Sequence, residues 1–415
     1  MAPGALLAPL AAALDGSGPA IAPLDPALPA ERLRLLIGQL APDAVQTPDG
    51  IQTPDRFQTP DGIQTPDGIQ EPDRFQTPDG IQTPDGVRRG DHRGQPPGVS
   101  EDTAVVIVTS GSTGLPKGVE LSSAALLHSA RASLDRIGAA AGDRWLCCLP
   151  VSHIAGIQVL VRSLLAGTVP VICDRLDPGV VASCGCAHVS VVPTQLRRLI
   201  TAGADLAPFG TILLGGASAP ARLLDAAAEA GGRVVTTYGM TETCGGCVYD
   251  GMPLDGVRVA IGGGDAIRIA GPVLFSGYRG QPGATSAVLR AGWFSTADLG
   301  SIGPSGRLAV RGRADDVINT GGEKVVGAEV AAVLGTCAAV RDAVVVGRPD
   351  DEWGERVTAV VVPADPAAPP DLGMLRAHVR RTLPASAAPR ELVLVTEIPL
   401  LPSGKPDLRA LRTPG

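Results

Sequence analysis

The sequence is poor in aromatic residues: they make up 3% of 415 positions, with five Phe, three Trp and three Tyr. A surface that stacks bases needs more rings, and a formal net charge of -7 offers no basic footprint to a polyanion. Nucleic acid is therefore not an expected partner. Long apolar runs are missing too, since no stretch reaches the ~18 uncharged apolar residues of a membrane span. Met1 to Leu14 is apolar, but the first basic residue is Arg32 and Pro9 interrupts the run, so it does not read as a secretion signal. A cytoplasmic protein is expected. The eight cysteines lack paired zinc-ribbon spacing, because only Cys244 and Cys247 form a CxxC, with Cys184, Cys186 and His188 as conceivable partners. Reduced, buried thiols are expected in place of a metal site or a disulfide framework.

What is present is a globular balance, 44% hydrophobic and 19% charged, in a chain long enough for two or three domains. Residues 1–45 read as small helical pieces, with Ala30 to Leu40 the best amphipathic helix. Residues 46–87 are a tandem hexapeptide of the QTPDGI type. A period of six can stack as a solenoid, but these Pro-Asp turns carry too little apolar surface to offset ordering entropy, so a flexible insert is expected. From Thr103 apolar runs alternate with helical segments, the pattern of a layered α/β domain over 88–313 that ends in a β-rich stretch. Composition resets after Arg313, and a small α+β domain is expected over 314–415.

The chain is organised around Thr109-Ser110-Gly111-Ser112-Thr113-Gly114-Leu115-Pro116-Lys117-Gly118, which follows the strand-like run Ala104 to Val108. Glycines let backbone N–H groups approach an anion, and hydroxyls and an ammonium add donors and charge. A phosphate-gripping loop is one reading; a flexible Gly/Ser-rich turn is the other. A Walker A loop is excluded, since Gly-Lys-Ser/Thr is required and Pro116-Lys117-Gly118 stands there. Further along, Thr211 to Ala217 is a strand ending in Gly215 and Gly216, and Arg233 to Glu242 repeats the strand-into-turn design. Such strand ends are where α/β sheets place ligands.

The loop resembles the phosphate loop of the adenylate-forming enzymes, the superfamily of acyl-CoA ligases, luciferases and adenylation domains. Four more stretches resemble that superfamily's motifs in the same order: Tyr238-Gly239-Met240-Thr241-Glu242, Gly292 to Asp298, Gly312-Arg313-Ala314-Asp315-Asp316, and Ser403-Gly404-Lys405. The resemblance implies ATP, Mg²⁺ and CoA as ligands. ATP would be held by Ser110 to Gly114, Lys117, Gly215, Gly216, Ala217, Tyr238, Gly239, Thr241, Asp298 and Arg313. Glu242 would hold Mg²⁺, and Lys405, Lys117, Glu242 and Thr241 would carry the chemistry. Asp315 would be the hinge of a mobile C-terminal domain, and Gly321 and Gly322 would face CoA.

Pro150 to Gly156, Val192 to Leu199 and Leu214 to Ala217 are similar to the o-succinylbenzoate–CoA ligase family of menaquinone biosynthesis, its actinobacterial members above all. That narrower resemblance puts the acid beside His153, Gln195, Arg198 and Gly216, with Arg197 the rival of Arg198. Another aromatic or acyl acid, a carrier-loading adenylation domain, or a non-catalytic scaffold of the same fold stays open, as does a homo-oligomer.

Overall fold

In the computed structural model the apolar run before the phosphate loop forms the strand Thr103–Ser110, which pairs antiparallel with Pro116–Ser122 in the register Thr109↔Lys117 and Ser110↔Pro116. The second strand carries the chain from the loop to the helix Ser123–Ile137. Proline at a strand's first position costs no ladder donor, and Val119 and Leu121 alternate inward past Gly118 and Glu120. Residues 3–25, 27–42, 44–47, 50–52, 102–110, 116–401 and 406–413 are described by the structure. Gly111, Ser112, Thr113, Gly114 and Lys405 lie outside them, as does most of the hexapeptide repeat.

The chain forms two compact units, residues 26–100 and residues 2–25 with 101–415. In the first, the helix Ala30–Leu40 carries buried Leu36, Ile37 and Leu40, and Val45–Thr47 pairs antiparallel with Gly50–Gln52 where the repeat begins. In the second, the apolar N-terminal stretch becomes the helix Leu7–Asp15, whose Leu10, Ala13 and Leu14 join the main core.

The centre of the second unit is a seven-stranded sheet in the order Met252–Pro253, Gly245–Tyr249, Val234–Met240, Thr211–Leu214, His188–Val191, Trp145–Cys147, Val171–Ile172. The last five strands are parallel and their central members are buried on both faces, hence the continuous apolar runs. The helix Ser123–Ile137 is capped by Ser122 Oγ, which accepts from Ala125 N at 3.2 Å, and ends at Gly138 with φ 72°. The helix Ile154–Leu165 is apolar almost all round because it is buried almost all round. Its Gly156 fits against the Leu149–Pro150 turn, where an added Cβ would lie 2.3 Å from the Pro150 carbonyl oxygen.

The β-rich stretch is a five-stranded antiparallel sheet containing Arg258–Ile261, Ala266–Ala270, Trp293–Ile302, Leu289–Arg290 and Leu308–Arg313. After the turn Ala314–Asp316 a further five-stranded sheet pairs Val340–Asp350 with Gly354–Pro363 as a long hairpin. The ladder of this hairpin carries through Arg348 and Pro349 and turns beyond Asp350. Val345, Val357 and Val361 feed one small core, and Val344, Val346, Val360 and Val362 feed another on the opposite face.

Candidate active site

Two neighbouring strand ends of the parallel sheet build the site. Gly215 and Gly216 follow Thr211–Leu214; an added Cβ on Gly215 would sit 2.3 Å from Thr237 Oγ1, and Gly216 has φ 83°. These glycines let two chains pass closely and leave Gly216 and Ala217 exposed beside Tyr238 and Gly239 of the next strand. That strand runs Val234–Met240 into the turn Thr241–Thr243, where Thr243 Oγ1 accepts from Met240 N at 2.9 Å. Cys244, at φ 52°, presents its carbonyl to Gln158 Nε2 at 2.8 Å and to Ser129 Oγ at 3.2 Å. Buried Gln158 therefore fixes the turn from the helix behind it.

Asp298 lies on Trp293–Ile302 with its side chain 12% exposed. Tyr238 donates its hydroxyl to Asp298 Oδ2 at 2.9 Å, and Arg313 Nη1 meets Oδ1 at 3.1 Å. Each oxygen keeps a further lone pair, so a vicinal diol can still be accepted. Burial, reinforced by Asp298, pushes the Tyr238 phenol well up, so it remains a donor. Arg313 Nη2 also donates to Asp315 at 2.9 Å. Burial opposes the Arg313 charge, but Asp315, Asp298 and Asp316 outweigh it and raise its pKa.

The second cluster joins Lys117 and Glu242 through a residue that motif reading missed. Tyr278 donates its hydroxyl to Glu242 Oε1 at 2.9 Å, and Lys117 Nζ lies 4.7 Å from the centroid of the same ring. Burial first, then Glu242, pushes the Tyr278 phenol up. Scarcity was the available signal: the chain has three tyrosines, and the other two, Tyr238 and Tyr249, also spend their hydroxyls on specific side chains. Mg²⁺ is a hard ion held through one or two carboxylates together with substrate phosphates. Half-buried Glu242, next to the Thr241 hydroxyl, is a donor set that fits it.

The residues expected around the acid are less gathered. His153 is the exposed N-cap of Ile154–Leu165 and makes no side-chain cap bond. Gln195 spends both ends of its amide on backbone, accepting from Val192 N at 3.1 Å and donating to the Cys148 carbonyl at 3.2 Å. It shapes the wall. Arg197 is ion-paired with Asp342 of the small domain, whereas its exposed neighbour Arg198 has no ion pair among the described residues. Gly321 and Gly322, at φ 59° and 82°, form the tight turn between Val317–Thr320 and Glu323–Val326.

The family model for AMP-binding enzymes matches residues 6–273, and that for their C-terminal domain matches 329–405. The chain belongs to the AMP-binding enzyme family, with its large N-terminal and small C-terminal domains. It is 48% identical over 327 residues to a Mycobacterium tuberculosis protein named "Probable 2-succinylbenzoate--CoA ligase", covering 75% of this chain and 85% of that one. It is 32% identical to a 2-succinylbenzoate–CoA ligase of Listeria monocytogenes, covering 73% and 68%. Among solved structures, the o-succinylbenzoate CoA synthetase of Bacillus subtilis with its acyl-adenylate intermediate aligns at TM-score 0.67 and 30% identity, over 75% of this chain and 69% of that one. The same enzyme has been solved with ATP and magnesium. An amide bond synthetase from Marinactinospora thermotolerans aligns at 0.69 and 31%, over the same shares.

Proposed function

We propose that this chain is an AMP-forming ligase that activates o-succinylbenzoate and joins it to CoA, acting in the cytoplasm. The acid assignment is carried by the 48% identity to the mycobacterial protein of that name. In the first half, the succinyl carboxylate attacks the α-phosphorus of ATP, and pyrophosphate leaves. Asp298, with Tyr238 and Arg313 already on its two oxygens, accepts the ribose hydroxyls. Lys117 and the hydroxyls of its loop neutralise the outer phosphates, where fixed charges stabilise the transition state without reorganising. Glu242 would hold Mg²⁺, which would supply charge neutralisation on the phosphates, and the Thr241 hydroxyl would meet the α-phosphate. Lys405 neutralises the meeting carboxylate and α-phosphate. The acid lies along His153, Gly216 and the wall that Gln195 braces, with its second carboxylate on Arg198.

In the second half the small domain turns about Asp315 and brings Gly321 and Gly322 to the CoA path, a hinge motion that lets one site serve two steps. The test is pyrophosphate release with ATP, Mg²⁺ and o-succinylbenzoate, with and without CoA. Release, followed by a CoA-dependent thioester, is expected. Release only with another acid would overturn the pocket assignment, and no release with any acid, from a folded sample, would overturn the enzymatic reading. Lys405→Ala is expected to abolish adenylation and spare thioester formation from supplied acyl-adenylate. An equal loss in both halves would sink the hinge assignment.

A further inference from the structure

The ligand end of the parallel sheet also carries a pair of thiols that the ligase chemistry leaves unused. Trp145–Cys147 and Val171–Ile172 run parallel in the register Leu146↔Val171 and Cys147↔Ile172, and Cys173 N donates to the Cys147 carbonyl at 3.1 Å. Cys148 and Cys173 are thus the next partners in the ladder and project to the same side of it. Paired strands lie about 4.8 Å apart, within the roughly 4.4–6.8 Å of Cα separation that a disulfide spans. The two thiols perturb one another's ionisation, and the Cys148 S–H donates to the Ser190 carbonyl at 3.4 Å. Both are half-buried, whereas Cys147, Cys186, Cys244, Cys247 and Cys337 are buried.

We propose that Cys148 and Cys173 form a redox pair, reversibly closed to a disulfide by hydroperoxides, and that closure displaces the acid-binding wall. Cys173 is the attacking sulfur. The neighbouring Cys148 thiol holds it below the usual thiol range against burial and the Asp174 and Asp177 charges, while Cys173, then burial, pushes Cys148 up. Attack of the Cys173 thiolate on hydrogen peroxide breaks the O–O bond and gives Cys173–SOH and hydroxide. The sulfur of Cys148 then attacks that sulfur and expels the second oxygen as water. In balance, two thiols and one peroxide give one disulfide and two waters. The neutral oxidant is the appropriate one beside two aspartates.

The wall follows because Cys148 is anchored on both sides. Its carbonyl accepts from Gln195 Nε2 at 3.2 Å, and its Sγ lies 3.4 Å from the Ser190 carbonyl oxygen, a contact a disulfide cannot keep as a donor. Two residues on, the Pro150 carbonyl packs on Gly156 at the start of the helix that His153 caps. Moving Cys148 toward Cys173 therefore moves the chain that carries His153. The predicted loss of activity rests on the ligase reading; the cross-link does not.

The experiment treats the full-length protein with hydrogen peroxide, blocks remaining thiols, and maps disulfide-linked peptides by mass spectrometry. Hydrogen exchange of residues 149–156 and the KM for o-succinylbenzoate and for ATP are read alongside. A Cys148–Cys173 linked peptide is expected, with altered exchange over 149–156 and a KM for the acid raised about tenfold while that for ATP holds, all reversed by dithiothreitol. Cys173→Ser is expected to keep the reduced activity and lose the response. Absence of the linked peptide while other cysteines oxidise would overturn the proposal. So would a linked peptide with unchanged exchange over 149–156, or an undiminished response in Cys173→Ser. A protein without ligase activity that still forms the link and alters exchange supports the redox pair and refutes only the ligase reading.

Discussion

The two ends of the parallel strands handle charge differently. At their C-terminal ends Tyr238 and Glu242 are partly buried, and they meet Asp298, and Tyr278 with Lys117, brought in from two other sheets. At the N-terminal ends His188, Trp145 and Arg162 are sealed in. Arg162 lies 4.4 Å over the Trp145 ring with Ser133 and Ser190 as partners, and His188 Nε2 meets Asp143 at 3.1 Å. Groups of one end are open enough to gain a ligand, whereas those of the other are closed off by one another, with Trp145 Nε1, Arg162 Nε and His188 Nδ1 buried without a hydrogen-bond partner among the described residues. Substitutions at the first end should therefore change rates, and those at the second should change stability.

Asp298 makes the strongest test of that division. Asp298→Ala removes the acceptor of both Tyr238 and Arg313, and the expected loss in adenylation is 10²–10³-fold, roughly 3–4 kcal/mol of transition-state stabilisation. ATP–pyrophosphate exchange measures it, with the melting temperature read in parallel. If melting falls steeply and the residual exchange per folded molecule is unchanged, the corner is structural and the division fails.

Tyr278 separates two contributions within the same end. Tyr278→Phe loses the hydrogen bond to Glu242 and keeps the ring beneath Lys117, and a fall of about tenfold in kcat is expected, since bonds to charged groups are worth roughly 1.5–3 kcal/mol. Tyr278→Leu should lose a further few-fold through the missing cation–π contact, of order 0.5–2 kcal/mol. Equal rates in the two variants would show that Lys117 does not depend on the ring.

The acid side sharpens the comparison further. Arg198→Ala is expected to raise the KM for o-succinylbenzoate about tenfold and to leave that for ATP unchanged, as loss of uniform binding does. Arg197→Ala opens a partly exposed pair with Asp342, worth ~1 kcal/mol or less, and should alter kcat more than acid KM because it joins the two domains. The reverse assignment of the two effects would exchange their roles.

Much of the first end was legible because its chemistry demands residue types that little else in the chain uses. Lys117, Lys324 and Lys405 are the chain's three lysines among 35 basic residues, and Lys117 and Lys405 fall in the motifs. Asp298 and Glu242 were legible from their motifs, but Tyr278, the partner of Glu242, arrives from a two-residue strand, Gly277–Tyr278, too short to show a period. The acid wall was less legible. Gln195 and Arg198 share the surface of one helix with Arg197, and sequence spacing cannot tell a side chain that braces backbone from one that faces a ligand. Within the apolar helix Ile154–Leu165, Gln158, which holds the Cys244 carbonyl after the Thr241–Thr243 turn, interrupts the apolar run without any pattern of its own.

The smallest effect is expected at the sealed end. Burial lowers the His188 pKa below its ordinary 6.5, and Asp143, which favours the charged ring, only partly opposes this. The neutral imidazole is thus the folded form, and the unfolded chain binds a proton first as pH falls through about 6.5. Stability from this site is complete above that value and declines as pH drops toward the folded pKa. His188→Asn keeps a polar group toward Asp143 and cannot titrate. Urea unfolding at pH 8, 6 and 5 should show the variant weaker by roughly 1 kcal/mol at pH 8 and the gap narrowing at pH 5, with ATP and acid KM unchanged throughout. Parallel curves for the two proteins would mean that His188 does not titrate across this range, and a changed KM would mean that the two ends of the sheet are not independent.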